Sequence, residues 1–464
     1  MLSTKEKVSY GIGAFGKDVA YMISSGYVLY YYQDLLGVNA ITVGIILLAA
    51  RIFDAFNDPL MGVVVAKTKT RWGKFRPWLF IGTLLNAVIL IMLFNAPPAL
   101  NGGGLVAYAA IIYILWGVTY TMMDIPFWSM IPAFTRTGSE RENLTTLARS
   151  CAGVGDALIT IITVMTVAFL GAGDERRGFG IFAIIIAVVF FICTAITCYS
   201  IKEKSTVNVD SPSIKQMLLS LVQNDQAMVV VISIVLINLS LYITSGLLIY
   251  FFKYDFGGEG WRSAYTLFTT FGGGIQILSM MILYPLVRKL MSAMKVFYLS
   301  FIMAIAGYFI LLLMMITGEI NLYLMLVPAF LVFAAFGMLT ILTTVFLANT
   351  VDYGELKNNR RDDSVIFSMQ TFVVKLASGL SSFLVSVCLA LFKIGEASTE
   401  DTSAMQTQIS GGSIMGLRLF MTMIPIIGLF IAAILFKKKY ILSDKKLEEI
   451  GLSLEERKNK ITNN

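Results

Sequence analysis

The chain has 464 residues, of which 57% are hydrophobic and only 14% charged, with a mean hydropathy of +0.77 and a formal net charge of +7. A soluble domain carries about 25% charged residues, so the composition excludes an ordinary soluble fold and points to a polytopic helical membrane protein. There is no histidine; a His-ligated metal site is excluded, and any proton relay must run on carboxylates.

The apolar blocks do not alternate with polar residues as barrel strands do, and each is long enough for the ~20 residues that span a bilayer as a helix. "MLSTKEKVSYGIGAFGK" lacks the compact apolar region and small-residue cleavage site of a secretory signal. Twelve spans are predicted, at 8–36, 41–66, 77–97, 104–134, 143–170, 178–201, 226–253, 262–288, 293–316, 321–349, 363–393 and 413–437. The predicted fold is therefore all-α. It has an N-terminal six-helix bundle (1–201), a central loop (202–225), a C-terminal six-helix bundle (226–438) and a charged tail (439–464), read as a solvated helix or a disordered end. Cys151, Cys193, Cys198 and Cys388 lie in apolar segments without metal-type spacing and read as packing residues.

Basic residues cluster after span 2 (Lys67, Lys69, Arg71, Lys74, Arg76), span 8 (Arg288, Lys289, Lys295), span 10 (Lys357, Arg360, Arg361) and span 12 (Lys437, Lys438, Lys439). The positive-inside rule then places both termini in the cytoplasm. The basic turns after spans 2 and 8 hold equivalent positions in the two halves, which suits two bundles rocking about a central site.

Charges within the spans carry the functional argument, because each costs ~2.5–3.5 kcal/mol at the bilayer centre on insertion scales. Span 1 holds Lys17 and Asp18. Span 2, "ARIFDAFNDPLMG", holds Arg51, Asp54, Asn57 and Asp58. Asp54 and Asp58 are four residues apart and share a helix face. Two carboxylates so placed repel unless a cation or proton sits between them, and hard oxygens suit a small alkali cation. Asn57 adds a neutral oxygen, and Asp18 is able to reach the same point. Arg51, one turn before Asp54, reads equally as a structural counter-charge and as a direct participant.

Span 4, "YILWGVTYTMMDIPFWS", places Tyr120, Asp124 and Trp128 at i, i+4 and i+8, flanked by Thr121. An acid between aromatic rings suits a sugar: it accepts hydroxyl hydrogen bonds while a ring stacks on the C–H face. An interfacial aromatic belt is the competing explanation for Trp128. Arg149 of span 5 has the forked geometry to serve hydroxyls or Asp124. In span 11, "SMQTFVVK", Gln370, Thr371 and Lys375 lie close in helical projection, and Lys375 is the natural partner of the acids. "FGGGIQ" in span 8 has no strand or Lys-Ser/Thr context for a phosphate loop and reads as a site of close helix packing. In "NTVDYGELKNNRRDDS", Asp352 and Glu355 beside Lys357, Arg360 and Arg361 read either as a latch to basic loops of the other half or as a solvated loop.

Taken together, "SYGIGAFGKD", "ARIFDAFNDPLMG", "RWGKFRPW", "YILWGVTYTMMDIPFWS", "TVDYGE" and "SMQTFVVK" resemble the glycoside–pentoside–hexuronide:cation symporters, most closely the bacterial melibiose carriers. The resemblance covers both halves. It implies a major-facilitator-type fold in the bacterial cytoplasmic (inner) membrane, taking up a glycoside with Na+, Li+ or H+ as co-transported ion and with no cofactor. Carried over, Asp54 and Asp58 would ligate the cation, with Asn57 and Thr121 assisting. Lys17, Asp18, Tyr120, Asp124, Trp128 and Arg149 would hold the sugar, with Thr371 and Lys375 from the second half. The implied partners are a small sugar, a monovalent cation and the bilayer, with no nucleic acid and a functional monomer. Two departures stand out: Thr340 or a neighbouring aliphatic where the family has a tryptophan, and Asn349 where it has an aspartate.

An α-galactoside such as melibiose is the expected substrate, with a hexuronide or a pentoside (xyloside) as the alternative. A sodium-coupled lipid carrier is a more distant alternative, disfavoured by the sugar-face residues. An enzyme would need an activated nucleophile or metal cluster that the sequence lacks, and a sugar sensor would need a signalling domain.

Overall fold

The computed structural model describes residues 2–68, 70–131, 139–201, 219, 223–318, 321–358, 363–394 and 411–462. Its helices are α1 (Thr4–Tyr30), α2 (Ala40–Lys67), α3 (Arg76–Leu93), α4 (Gly102–Ser129), α5 (Ser139–Gly171), α6 (Glu175–Ser200), α7 (Asp225–Tyr250), α8 (Trp261–Leu278), α9 (Tyr284–Leu290), α10 (Ala293–Thr317), α11 (Leu322–Asn358), α12 (Asp363–Leu391), α13 (Gly411–Lys439) and α14 (Asp444–Thr462). No named strand occurs among the described residues. Chain contacts divide the molecule into two units, Met1–Ser211 with Leu389–Gln408 and Pro212–Cys388 with Ile409–Asn464.

The sequence explains where these helices begin. Ser3 and Glu6 form a reciprocal capping box at α1, with the Ser3 hydroxyl accepting from Glu6 N–H at 3.2 Å and the Glu6 carboxylate accepting from Ser3 N–H at 2.8 Å. Asn39, Asp174, Asn224 and Ser292 cap α2, α6, α7 and α10 in the same chemical way. α1 ends in a π-helical turn, Tyr31–Leu35, followed by Gly37 at φ +69°. α7 ends alike, in Phe251–Phe256 followed by Gly257 at φ +63°. "YYYQDLLG" and "YFFKYDFGG" thus open each half with one device, a stronger sign of internal repetition than the basic turns.

Eleven helical stretches among the described residues are long and apolar enough to cross a bilayer. α1 is not among them, although it has the expected length and place. Lys17, Asp18, three serines and four glycines dilute its apolar content. Eleven of the twelve expected spans are thus met among the described residues, and the remaining one, 8–36, coincides with α1, which is not apolar enough to count as a twelfth. α11 runs to Asn358, past its expected end at 349, because "TVDYGELKN" continues as helix.

In the first unit α1 packs on α5 and α6, α3 on α4 and α6, and α2 on α4. Gly155 permits the α1–α5 approach: a Cβ there would lie 2.8 Å from the Phe15 carbonyl. In the second unit α7 packs on α13, α10 on α11 and α8 on α11. Of the "GGG" run, Gly272 alone serves close packing, under the Phe333 ring; Gly273 and Gly274, rotated off that face, meet open space.

The tail is a docked helix rather than a free end. Leu442 and Ile450 are buried in the core of the second unit, with Leu447 packed beside them, while Lys445 and Lys446 face outward. In the stretch read as a latch, contacts within the second unit are visible. Lys357 pairs at 2.5 Å with Asp225 of the same unit, which also accepts from the Tyr353 hydroxyl at 3.2 Å. Asn224 donates to the Thr350 carbonyl at 2.8 Å, so "TVDYGE" ties α11 to the start of α7. Lys69, Arg360, Arg361 and most of 202–225 lie outside the described residues. A buried pair that sequence reading did not find, Arg418 with Asp255, is bidentate (2.6 and 2.7 Å), and Arg418 also donates to the Met315 carbonyl. It joins α13, the π turn after α7 and α10; its members are 163 residues apart, so no local spacing reveals it.

Candidate functional site

The intramembrane charges of the first unit fall into two groups, both leaning on α4. In the first, the Lys17 ammonium, only 5% exposed, pairs with Asp18 and, at 3.0 Å, with Asp124. It also lies 3.3 Å from the Tyr120 hydroxyl and 5.0 Å from the centre of the Trp128 ring. The Tyr120 hydroxyl reaches Asp18 at 3.4 Å. Trp128 donates its indole N–H to Asp124 at 3.1 Å, and the Arg149 guanidinium stacks 3.9 Å from its ring centre. A Trp128 so engaged belongs to the bundle interior, not to a headgroup belt. Tyr10 fixes α1 to α4 here, stacked on Phe127 at 4.4 Å and donating to the Phe127 carbonyl at 2.5 Å.

The second group sits on α2. Arg51 and Asp54 form a buried i, i+3 pair at 3.3 Å. Asp58 accepts from the Thr121 hydroxyl of α4 at 2.9 Å. The Asn57 amide nitrogen is buried without a hydrogen-bond partner among the described residues, which leaves that amide able to turn and present its oxygen. Among the described residues no cluster of three or more Asp, Glu or Cys has the arrangement of a metal site. A cation held here would therefore use two carboxylates with amide and hydroxyl oxygens to complete its shell. Arg51, left open by the sequence, is placed as the counter-charge of Asp54. Asp18 joins Asp124 and not Asp54.

An aromatic bridge links the groups. The Arg51 guanidinium lies 5.5 Å from the Tyr21 ring and 5.7 Å from the Trp116 ring. Tyr120 packs on the same two rings, at 5.3 and 5.5 Å. Tyr120 and Thr121 are neighbours on α4, one facing Lys17 and Asp18, the other Asp58. A shift of α4 by one side chain's width is therefore felt in both groups.

Thr371 and Lys375 lie on α12 in the second unit. Lys375 is half-buried, and the Thr371 side chain lies outside the described residues. Gln370 donates to the Thr344 hydroxyl at 3.2 Å, and the Thr340 hydroxyl bonds back to the Phe336 carbonyl at 2.8 Å. Sequence reading missed Tyr21, Trp116, Gly117 and Asp156. Trp116 was within reach as the i−4 neighbour of Tyr120, and Asp156 as the i+7 neighbour of Arg149 on α5.

Gly117 has a specific task. A Cβ at that position would lie 2.6 Å from Asp54 Oδ1. The atom that must yield is the end of a side chain, so Gly117→Ala should cost little stability but displace the carboxylate. If Asp54 ligates a coupling cation, the cation concentration giving half-maximal uptake should rise about tenfold, as for ~1.4 kcal/mol of lost interaction. An unchanged cation dependence of uptake into vesicles would show that Asp54 has room to spare or holds no cation.

In fold the chain is similar to the nucleoside transporter NupG (TM-score 0.68, 14% identity, covering 93% of this chain and 99% of that one). It is also similar to a bacterial homologue of the human lysosomal transporter Spinster, inward-facing and unoccupied (TM-score 0.66, 10% identity, 96% and 97% covered). The protein thus has a major-facilitator-type fold, and its family match makes it a multi-pass transporter of the bacterial cytoplasmic membrane.

Residues 9–442 match the MFS/sugar transport protein family, and the chain belongs to that family. Its relatives include the lactose permease of Lactobacillus delbrueckii subsp. bulgaricus (28% identity, 97% of this chain and 72% of that one). They also include the raffinose carrier protein of Pediococcus pentosaceus (28%, 97% and 71%) and the isoprimeverose transporter of Lactiplantibacillus pentosus (28%, 84% and 81%). These relatives uphold the resemblance to glycoside–pentoside–hexuronide:cation symporters.

Proposed function

We propose that the protein imports a galactoside together with Na+, Li+ or H+, binding the sugar at Lys17, Asp18, Tyr120, Asp124, Trp128 and Arg149 and the cation at Asp54, Asn57, Asp58 and Thr121. The observation that carries this reading is the adjacency of Tyr120 and Thr121, which joins a carboxylate–aromatic group suited to a sugar to a carboxylate pair suited to a cation. Relatives named for lactose and raffinose, both of which contain galactose, support the substrate class.

In this mechanism the cation sits between Asp54 and Asp58 and loosens the Asp54 carboxylate from Arg51; its single charge, with that of Arg51, balances the two carboxylates. Arg51 then repacks against Tyr21 and Trp116, which settles Tyr120 toward the sugar hydroxyls. Asp18 and Asp124 accept from those hydroxyls, Lys17 and Arg149 donate, and Trp128 covers an apolar face of the ring. The coupling is reciprocal: each ligand tightens the other by one common factor. No covalent bond is made or broken.

Labelled melibiose, lactose and raffinose should accumulate in membrane vesicles under an imposed Na+ or H+ gradient. Uptake indifferent to both gradients would sink symport. The isoprimeverose transporter is as similar as the other relatives, so a xyloside is the second reading, and competition by unlabelled isoprimeverose decides between them.

A further inference from the structure

We propose that Asp156, on α5, is a proton-binding site of its own: a carboxyl held neutral beside the Lys17 network, whose proton must be in place for sugar to bind. The proposal rests on the sugar-site reading above and adds to it a residue and an ionic ligand.

Asp156 lies nine residues into the apolar stretch Leu147–Gly171, about 14 Å along the axis and so near mid-depth of a bilayer. Its Oδ1 atom is buried with no hydrogen-bond partner among the described residues. Asp18 and Lys17 of α1 and the Tyr120 hydroxyl of α4 lie within electrostatic reach of it, and its neighbour Gly155 sits against Phe15 and Val19 of α1. α6 also packs on α5, but its charges, Glu175, Arg176 and Arg177, lie beside Gly171, about 22 Å along α5 from Asp156.

The nearest base has nothing left to give. An ammonium has three donors, and Lys17 already has three oxygens about it, from Asp18, Asp124 and Tyr120. Lys17 already answers two acids, Asp18 and Asp124, and Arg149, exposed and stacked on Trp128, offers no buried counter-charge for a third. An ionised Asp156 would add an uncompensated buried charge next to Asp18, whereas a neutral carboxyl leaves only an under-used polar atom, the far smaller penalty. Were it ionised, Asp156 would compete for Lys17 and loosen it from Asp124, where the sugar must be gripped.

The linkage has a definite sign. Sugar binds the form with neutral Asp156, so sugar affinity is highest at low pH and falls as Asp156 loses its proton. In that alkaline range sugar binding takes up one proton.

Two measurements on the purified full-length protein, at saturating Na+, test this. The infrared carboxyl C=O stretch of wild type at neutral pH should contain a component missing from Asp156→Asn. Melibiose affinity of wild type should fall by about tenfold per pH unit above the ionisation, while Asp156→Asn should bind within about threefold of the low-pH wild-type value at every pH. Asp156→Ser takes its place if Asp156→Asn does not reach the membrane. Identical infrared spectra, identical pH profiles, or loss of melibiose binding by Asp156→Asn at all pH values would each overturn the proposal, the last by making the charged carboxylate the required form. Wild type that binds no melibiose at any pH would count against the galactoside reading instead, with the infrared comparison still deciding Asp156.

Discussion

Asp58→Cys abolishes Na+-driven accumulation of sugar and leaves sugar binding measurable; this is the expected result for a carrier whose coupling ion sits between Asp54 and Asp58. The two carboxylates are four residues apart on α2 and engage different partners, Arg51 for Asp54 and Thr121 for Asp58. Removing Asp58 takes away half of the anionic charge that compensates a desolvated cation. A small alkali ion stripped of water in the bilayer interior does not tolerate that loss, because the burial cost of an unpaired ion runs to several kcal/mol. The proposed sugar residues on α1, α4 and α5 keep their mutual contacts, since these run among Lys17, Asp18, Tyr120, Asp124, Trp128 and Arg149. The variant should therefore let sugar equilibrate across the membrane but not concentrate it, and Na+ should no longer sharpen sugar binding. Vesicle uptake against equilibrium exchange separates the two behaviours. Full accumulation in Asp58→Cys would remove this residue from the ion's shell and return Asp54 and Asp58 to the role of a helix-holding charge pattern.

How far the sequence reveals such a site depends on whether partners share a helix. Arg51–Asp54 at i, i+3 and Asp124–Trp128 at i, i+4 are pairs that spacing alone brings together, and both form. The spans were legible for the same reason: apolar runs of bilayer length have few alternatives to a helix. Choices between helices were not legible. Lys17 had several acids to choose from and takes Asp124, 107 positions away in sequence, together with its neighbour Asp18. Asp18 was equally free to join the α2 acids, and only packing of α1 against α4 through Tyr10 and Phe127 settles it. Asp156 escaped notice because the charge that shares its helix face, Arg149, lies two turns away, a fainter signal than the i, i+3 and i, i+4 spacings. The docking of the tail was readable in principle, since Leu442, Leu447 and Ile450 form an apolar stripe that a solvated helix has no need of.

Asp124→Ala should weaken sugar binding far more than cation binding. The Asp124 carboxylate is the meeting point of the sugar group, accepting from the Trp128 indole and pairing with Lys17 at 3.0 Å. Charge-assisted hydrogen bonds are worth about 1.5–3 kcal/mol each, and a sugar hydroxyl taking over one of these positions would gain at that level. Truncation removes the acceptor and frees two of its neighbours at once: Trp128 loses the bond that sets its ring plane, and Lys17 swings wholly to Asp18. An affinity loss of roughly 30- to 150-fold is expected, the equivalent of ~2–3 kcal/mol. The proposed cation shell draws on no atom of Asp124, so direct Na+ binding in the absence of sugar should change by less than about threefold, within the ~0.6 kcal/mol that separates neighbouring but independent sites. What should vanish is the mutual tightening, because the reciprocal factor requires a sugar held where Tyr120 can report on it. Calorimetric titration of wild type and variant with melibiose at zero and saturating Na+, and with Na+ at zero and saturating sugar, measures all four legs of that cycle. Equal losses on the sugar and Na+ legs would merge the two groups into one site, and an unchanged sugar leg would take Asp124 out of it.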